Sequence, residues 1–145
     1  MFNRIDEQGK PLFELIKNDP RFIQHEKYFI SGAVDKSDRE EIRINTNRSE
    51  RAIILGSAGT MSTGVNIPNL HNLVLIMPGK AKIRLLQSLG RILRKSDNNQ
   101  KATVIDIIDD LSHGAKKNHS LRHAQKRVEI YQAEGFPIKT RKINL

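Results

Sequence analysis

Residues 52–68 of the chain read AIILGSAGTMSTGVNIP, an apolar run followed by small and hydroxyl-bearing residues. The first four positions show no alternation of apolar and polar side chains, which is typical of a strand covered on both faces of a parallel sheet. The small residues that follow let a phosphate approach the backbone, and their hydroxyls and N–H groups are donors to phosphate oxygens. This segment predicts a buried strand that leads into a binding loop.

Similar apolar runs recur along the chain, with helix-like segments between them. Strands are predicted at residues 28–30, 73–77 and 103–108, and helices at 11–18, 37–44, 83–95 and 121–134. This alternation predicts an α/β fold, a three-layer αβα domain around a mainly parallel central sheet. We expect that domain to span residues 1–111 and a basic helical extension and tail to span residues 112–145.

The predicted helix ends rest on capping residues. Ser37 and Glu40 have the spacing of a capping box and are expected to open the second helix. Ser120 is expected to cap the last helix, and Gly135 lies just beyond its end. On that helix an apolar stripe is expected opposite a basic face formed by Arg122, Lys126 and Arg127.

The composition limits the class of protein. The chain has 145 residues, of which 37% are hydrophobic, and no cysteine, so disulfides, thiolate metal sites and cysteine nucleophiles are excluded. No apolar run approaches the roughly 18 residues of a membrane span, and the start has no signal-peptide pattern. We expect a soluble protein of the cytoplasm with no membrane partner.

The net charge of +9 lies entirely in the second half of the chain. Residues 1–79 carry 10 basic and 10 acidic side chains, whereas residues 80–145 carry 15 basic and 6 acidic ones. Such a basic block favours a polyanion, because each neutralised phosphate releases condensed counterions. DNA or RNA is the expected partner, and a merely solubilising basic surface is the alternative.

Residues 83–95 form the most informative helix. Projected at about 100° per residue, one half is apolar and the other polar, with Gln87, Arg91 and Arg94 in one narrow stripe. An ordinary amphipathic surface helix would show the same separation, so the spacing of the polar residues has to decide between the two interpretations.

That spacing, Gln87-x-x-Gly90-Arg91-x-x-Arg94, resembles the QxxGRxxR motif VI of superfamily 2 helicases. Residues 53–68 resemble motif V, and residues 28–32 followed by Arg39 resemble the strand, turn and arginine found earlier in the same domain. Together they resemble the C-terminal RecA-like domain of a superfamily 2 DNA helicase. The resemblance is strongest to the UvsW-type phage helicases, which remodel branched DNA.

The resemblance implies the C-terminal motor half of an ATP-dependent DNA helicase or translocase that acts on branched or duplex DNA. It implies that Arg94 is the arginine finger, with Arg91 beside it, and that Gln87 orients the attacking water or senses closure of the two domains. It assigns Gly64 and Asn66 to the nucleotide, with Asn66 at the ribose or at the motif VI arginines. It assigns the following residues to the DNA backbone: Ser31, Gly32, Ser57, Thr60, Thr63, Lys80 and Lys82.

The sequence lacks the phosphate-loop motif by which such a helicase binds ATP. A phosphate loop requires GxxxxGK[ST]; Gly59 and Gly64 have the first spacing, but Val65 stands where lysine is needed. We therefore expect ATP and Mg²⁺ to be held mainly by a first RecA-like domain, in cis or in trans, and this chain alone to be inactive. Of the first strand of the family's domain, only Met1 and Phe2 remain. The alternative function is a stand-alone, non-catalytic, basic nucleic-acid-binding module, whose DNA binding would be indifferent to Arg94.

Overall fold

A computed structural model describes residues 1, 4–63, 67, 70–76, 102–110 and 118–143. These residues fall into two compact units, each treated separately below. The first comprises residues 1, 4–63, 67, 70–76 and 102–107, and the second comprises residues 108–110 and 118–143. Within the described residues, no helix has the length and hydropathy that crossing a bilayer requires.

The first unit opens with one π-helical turn, Ile5–Gly9, which continues directly into helix α1, Lys10–Asn18. Pro11 stands in the first turn of α1, where its missing N–H costs no helical hydrogen bond. The helix predicted at residues 11–18 is therefore confirmed. After α1, the Asp19 carboxylate accepts a hydrogen bond from the Arg21 backbone N–H and begins the 3-10 turn Pro20–Phe22.

Two parallel strands, β1 (Glu26–Ile30) and β2 (Ala52–Gly56), are joined by helix α2 (Lys36–Arg48). Strand–helix–strand with parallel pairing is the βα arrangement that the alternation in the sequence predicted. Helix α1 packs against β1 through the rings of Phe13 and Phe29, whose centroids are 5.4 Å apart.

Helix α2 begins earlier and ends later than the sequence predicted. Its N-cap residue is Asp35, and Ser37 lies inside the first turn, so the predicted capping box is wrong. Glu40 forms a salt bridge with Arg43 instead of turning back to the helix start. The helix extends to Arg48 because its later turns are also packed, with Thr46 buried at 5% exposure.

The small residues after β2 form a short helix, α3 (Ala58–Thr63), where a loop was predicted. Ser57 starts this helix: its carbonyl accepts from the Met61 N–H at 3.0 Å, and its hydroxyl accepts from the Thr60 N–H at 3.3 Å. Ala58 and Met61 are buried. The loop prediction is wrong for these residues because serine capping and apolar burial outweigh the weak helix propensity of glycine and threonine.

A second parallel pair consists of β3 (Asn72–Leu75) and β4 (Thr103–Asp106). These strands confirm the predictions at 73–77 and 103–108, although each strand ends two residues earlier than predicted. Together with β1 and β2 they confirm the mixed α/β class. The carbonyls of His71 and Leu75 accept hydrogen bonds from Thr103 and Ile107 on the β4 side.

Met1 extends along the opposite edge of β3. Its amino group donates to the Val74 carbonyl at 2.7 Å, and the Ile76 N–H donates to the Met1 carbonyl at 3.1 Å. Burial of this ammonium lowers its pKa to about 6. Met1 is thus hydrogen-bonded to the sheet through both its amino group and its carbonyl.

The core of the first unit surrounds the end of β2. Ile30, Met61 and Ile67 are buried together, and the following residues pack around them: Met1, Ile42, Ile54 and Leu70. Gly56 lies so close to Met61 that a Cβ built on the glycine would be 2.5 Å from the Met61 Sδ. The last residue of β2 therefore has no room for a side chain.

Helix α4 (His119–Ala133) is the main element of the second unit. Its N-cap is Asn118, whose side-chain oxygen accepts from the Leu121 N–H at 2.7 Å, so the predicted cap at Ser120 is wrong. Gly135 has a φ of 72°, a conformation that favours glycine, and it confirms the predicted stop signal.

One residue of the predicted basic face of α4 lies elsewhere. Arg122 and Lys126 are exposed as predicted, but Arg127 is only 2% exposed. At about 100° per residue Arg127 falls on the same side as Ala124 and Tyr131, which are also buried. The prediction that Arg127 lies on the exposed face is therefore wrong.

Candidate nucleic-acid interface

The carboxyl ends of β1 and β2 lie side by side because the two strands are parallel and end at the same level. Ile30 pairs with Gly56, and the N–H of Ser57 donates to the Ile30 carbonyl at 3.0 Å. Ser31 and Ser57 consequently begin two neighbouring turns. In open α/β sheets, ligands bind beyond this end of the strands.

The turn after β2 holds a pair of hydroxyls. The Ser57 Oγ and Thr60 Oγ1 are 2.8 Å apart, and either can be the donor. The pair has two hydroxyl hydrogens and uses one of them internally, so the second can donate to an acceptor such as a phosphate oxygen. Thr60 is 6% exposed whereas Ser57 is half-buried, so Ser57 is the member that a ligand can reach.

The turn after β1 is held by an arginine. The Arg39 Nη2, from the first turns of α2, donates to the Gly32 carbonyl at 3.2 Å and lies 3.5 Å from the Ser31 carbonyl. Ser31 is buried and Gly32 is exposed, and the Ser31 carbonyl also accepts from the Val34 N–H at 3.2 Å. Arg39 therefore fixes the shape of the turn that stands beside Ser57.

Arg39 also sets the electrostatics of this edge. Its guanidinium donates to carbonyl oxygens that would otherwise repel an approaching anion. It also places a positive charge beside the turn. Its Nε is buried and has no hydrogen-bond partner among the described residues. The arrangement combines hydroxyl donors with a cation, which suits an anionic ligand such as a phosphate.

The structure brings together four of the residues that the sequence assigned to the nucleic-acid backbone: Ser31, Gly32, Ser57 and Thr60. Thr63 ends α3, on the same short helix as Thr60. The remaining assigned residues lie outside the described part of the chain: Gly64, Asn66, Lys80, Lys82, Gln87, Arg91 and Arg94.

Sequence reasoning gave Arg39 no contact of its own. Its contact follows from the topology. A helix that follows a strand begins near the carboxyl end of that strand, so residues of its first turns lie near that end. An arginine there, eight residues after Ser31, reaches back to the turn. Charge and spacing alone do not distinguish Arg39 from the paired Arg43 of the same helix.

The described residues provide no cluster of three His, Asp or Glu side chains that would suit a metal ion. The residues expected to contact the nucleotide, Gly64 and Asn66, lie outside them. The chemistry available at the described edge is therefore hydrogen-bond donation and positive charge.

Comparison with known proteins places this geometry in a family. Over its full length the chain is 36% identical to the ATP-dependent DNA helicase uvsW of enterobacteria phage T4. The crystal structure of T4 UvsW superimposes on 93% of the chain with a TM-score of 0.68 and 35% identity. The chain is homologous to helicases. The resemblance to a UvsW-type helicase C-terminal region is thereby confirmed, and so is the fold class.

A second viral relative of this helicase homologue is more distant. It is the "Putative ATP-dependent RNA helicase L396" of Acanthamoeba polyphaga mimivirus, 30% identical over 88% of the chain. No family model matches the helicase homologue. The chain spans about 30% of the length of the T4 protein and 22% of the mimivirus protein, so it corresponds to a part of each.

Proposed function

We propose that the chain is the C-terminal motor half of an ATP-dependent DNA helicase or translocase that acts on branched DNA in repair and recombination. The observation that carries the proposal is the edge formed by β1 and β2, where Ser31 and Gly32 stand beside Ser57 and Thr60. The similarity of the whole chain to an ATP-dependent DNA helicase supports it.

At this edge the chain binds the nucleic-acid backbone. The Ser57 hydroxyl donates to a phosphate oxygen, and Arg39 keeps the neighbouring turn in shape. Such contacts carry no base information, which suits a motor that moves along any sequence. Thr63, Lys80 and Lys82 add further phosphate contacts.

Nucleotide hydrolysis requires a second, P-loop-bearing RecA-like domain, in cis or in trans, that holds most of the ATP and Mg²⁺. Arg94 acts as the arginine finger, with Arg91 beside it, because a guanidinium stabilises the charge that spreads over a phosphoryl group during transfer. Gln87 orients the water, and Gly64 and Asn66 contact the nucleotide. The complete motor works in the cytoplasm of a host cell.

The test is phosphate release from ATP in the presence of branched DNA. Three samples are compared: the chain alone, the chain mixed with a separately made first RecA-like domain of T4 UvsW, and a chimera in which the chain replaces the matching region of UvsW. We expect no hydrolysis by the chain alone and hydrolysis by the chimera. Arg94→Ala should lower the chimera's rate about 10³-fold or more, as for other arginine fingers. Arg48→Ala, which removes an exposed arginine from α2, is the control.

Hydrolysis by the chain alone would contradict the proposal, because residues dismissed above would then hold the nucleotide. A chimera whose rate is indifferent to Arg94 would contradict the arginine-finger assignment. An inactive chimera that still binds DNA, with or without Arg94, would favour the stand-alone binding module.

A further inference from the structure

We infer that the exposed stripe of α4 formed by His119, Arg122, His123 and Lys126, here called the α4 stripe, is a second binding surface for nucleic-acid phosphates. The inference rests on the proposed function and deepens it, because it adds a contact on the second unit to the contacts at the ends of β1 and β2. The basic block at residues 80–145 predicts a polyanion partner without naming contacts, and the structure adds which side chains of α4 are exposed together.

The spacing of the α4 stripe places its side chains on one side of the helix. Positions i, i+3, i+4 and i+7 are neighbours on a helix surface. His119, Arg122 and Lys126 are exposed and His123 is half-buried. The opposite side carries the buried residues Ala124, Arg127 and Tyr131. The α4 stripe is therefore open to a ligand, as are Gln125 and Glu129 next to it.

Three side chains of the stripe gather over the first two turns. The Arg122 Nη2 lies 3.2 Å from both ring nitrogens of His119, so the guanidinium rests against the ring. The rings of His119 and His123 are 6.2 Å apart between centroids. From His119 to Lys126 the helix rises about 10 Å, which matches about three phosphates of one duplex strand at 3.4 Å each.

Among the described residues, no carboxylate pairs with the two cations of the α4 stripe. In the first unit, several surface cations pair with acids nearby in sequence, as in Arg4–Glu7, Lys10–Asp6 and Arg43–Glu40. In contrast, neither Arg122 nor Lys126 has a carboxylate within 4.0 Å among the residues that the structure describes. Residues 118–143 contain six Lys and Arg against two Glu. Cations without a carboxylate partner can neutralise phosphates directly, and this releases the counterions condensed on the nucleic acid.

The helix suits a nucleic acid better than a lipid surface. An interfacial helix needs an exposed apolar face to insert among lipid tails. On α4, Ala124 and Tyr131 are buried at 2% and 9% exposure, and the exposed charged residues of the helix are Arg122, Lys126 and one acid, Glu129. A polyanion bound through phosphates alone fits such a face.

The experiment measures binding of the full chain to a fluorescein-labelled DNA duplex of about 30 base pairs by fluorescence anisotropy, between about 50 and 200 mM KCl. The test variant is Arg122→Gln with Lys126→Gln, since glutamine keeps the helix propensity. The control variant, Lys17→Gln with Arg48→Gln, removes two exposed charges from α1 and α2. Circular dichroism confirms that helicity is unchanged.

We expect the stripe variant to bind about tenfold or more weakly near 100 mM KCl and to lose about 2 from the slope of log affinity against log salt. The control should change both values by much less. Equal losses in the two variants would overturn the inference, because net charge alone would then explain them. Unchanged DNA binding in the stripe variant, with lost binding to phosphatidylserine vesicles, would overturn it in favour of a membrane.

A third variant, Ser57→Ala, separates this inference from the proposed function. Weaker binding in Ser57→Ala but not in the stripe variant would overturn the inference and leave the proposed edge intact. Weaker binding in the stripe variant but not in Ser57→Ala would support the α4 stripe and contradict the edge. An absence of DNA binding by the unaltered chain would overturn both.

Discussion

At the scale of single residues, Gly56 is a position with no room for a side chain. A Cβ at Gly56 would overlap the Met61 side chain, which is packed between Ile30 and Ile67. We expect Gly56→Ala to lower the free energy of unfolding by about 1–3 kcal/mol, the usual cost of overpacking a core. Urea unfolding followed by circular dichroism measures it.

Gly59 provides the matched control for this prediction. It lies in α3, three residues further on, and a Cβ there meets no atom within 4 Å. Gly59→Ala should leave stability unchanged or raise it by up to about 1 kcal/mol, because alanine is the better helix former. Equal destabilisation by the two substitutions would show that crowding at Met61 is not the cause.

The Asp19 carboxyl has a lowered pKa because Arg21 donates hydrogen bonds to it. The Arg21 side chain and backbone N–H both donate to it and lower its pKa to about 2. Because the pKa is lower in the folded state than in the unfolded one, Asp19 contributes stability above about pH 4, and this is lost as the pH falls through about 2.

Carbon-detected NMR titration of Asp19 tests this assignment. Arg21→Gln should raise the pKa of Asp19 toward its ordinary value of about 3.9. The hydrogen bond from the backbone N–H of residue 21 remains, so the pKa should stay somewhat below that value. Arg48→Gln, an arginine with no described contact to Asp19, should leave it at about 2. The same Asp19 pKa in the Arg21→Gln variant and the unaltered chain would contradict the pairing.

At the scale of elements, the N-cap of α4 gives a direct test of which residue begins the helix. Asn118 accepts from the Leu121 N–H, which would otherwise be an unpaired donor at the helix start. We expect Asn118→Ala to cost about 1 kcal/mol, with a range of about 0.5–2. Thermal unfolding at the helical circular-dichroism band measures it, and Ser120→Ala, at the second residue of the helix, should have little effect. A larger loss in Ser120→Ala would restore the cap that the sequence predicted.

Strands and helix bodies were predictable from the sequence, and helix starts were not. The apolar run at 52–56 identifies a strand because burial along both faces leaves no polar position. The strand at 103–106 is identified by its β-branched residues instead, since one of its faces is exposed, with Ile105 at 49%. Several residues near a helix start can accept its free N–H groups, and the sequence alone does not rank them: Asp35 precedes Ser37, and Asn118 precedes Ser120. The burial of Arg127 depends on tertiary packing, so a pattern of charges could not predict it.

At the scale of the whole molecule, the uneven charge should govern DNA binding. Residues 118–143 carry six basic and two acidic side chains, a net of +4. If these charges replace counterions, log affinity should fall with log salt with a slope of about −3 to −4. Anisotropy titrations with a DNA duplex measure the slope, and sucrose at matched osmolality is the control. A slope near zero would show that the basic residues do not contact phosphates.

The candidate site was predictable only in part. Ser57 and Thr60 were singled out because hydroxyls follow a buried strand, and Ser31 because residues 28–32 resemble a strand and turn of the helicase domain. That these turns are neighbours depends on the parallel register, with Ile30 opposite Gly56. Arg39 depends on the return of α2 to the same edge, which the sequence does not state. The expected catalytic residues, Arg91 and Arg94, lie outside the described residues, so their roles stay predictions.

The close approach of Met61 to Gly56 leaves the end of β2 little room for an oxidised methionine. Oxidation of a methionine to its sulfoxide adds an oxygen atom to the sulfur and turns an apolar side chain polar. Beside the Met61 Sδ there is less room than a methyl group needs. An oxygen added on the side of Gly56 would press on the end of β2, which Ser57 follows directly. Because Met61 is only 9% exposed, peroxide would reach its sulfur when the core opens, so the core and the candidate interface would be damaged together.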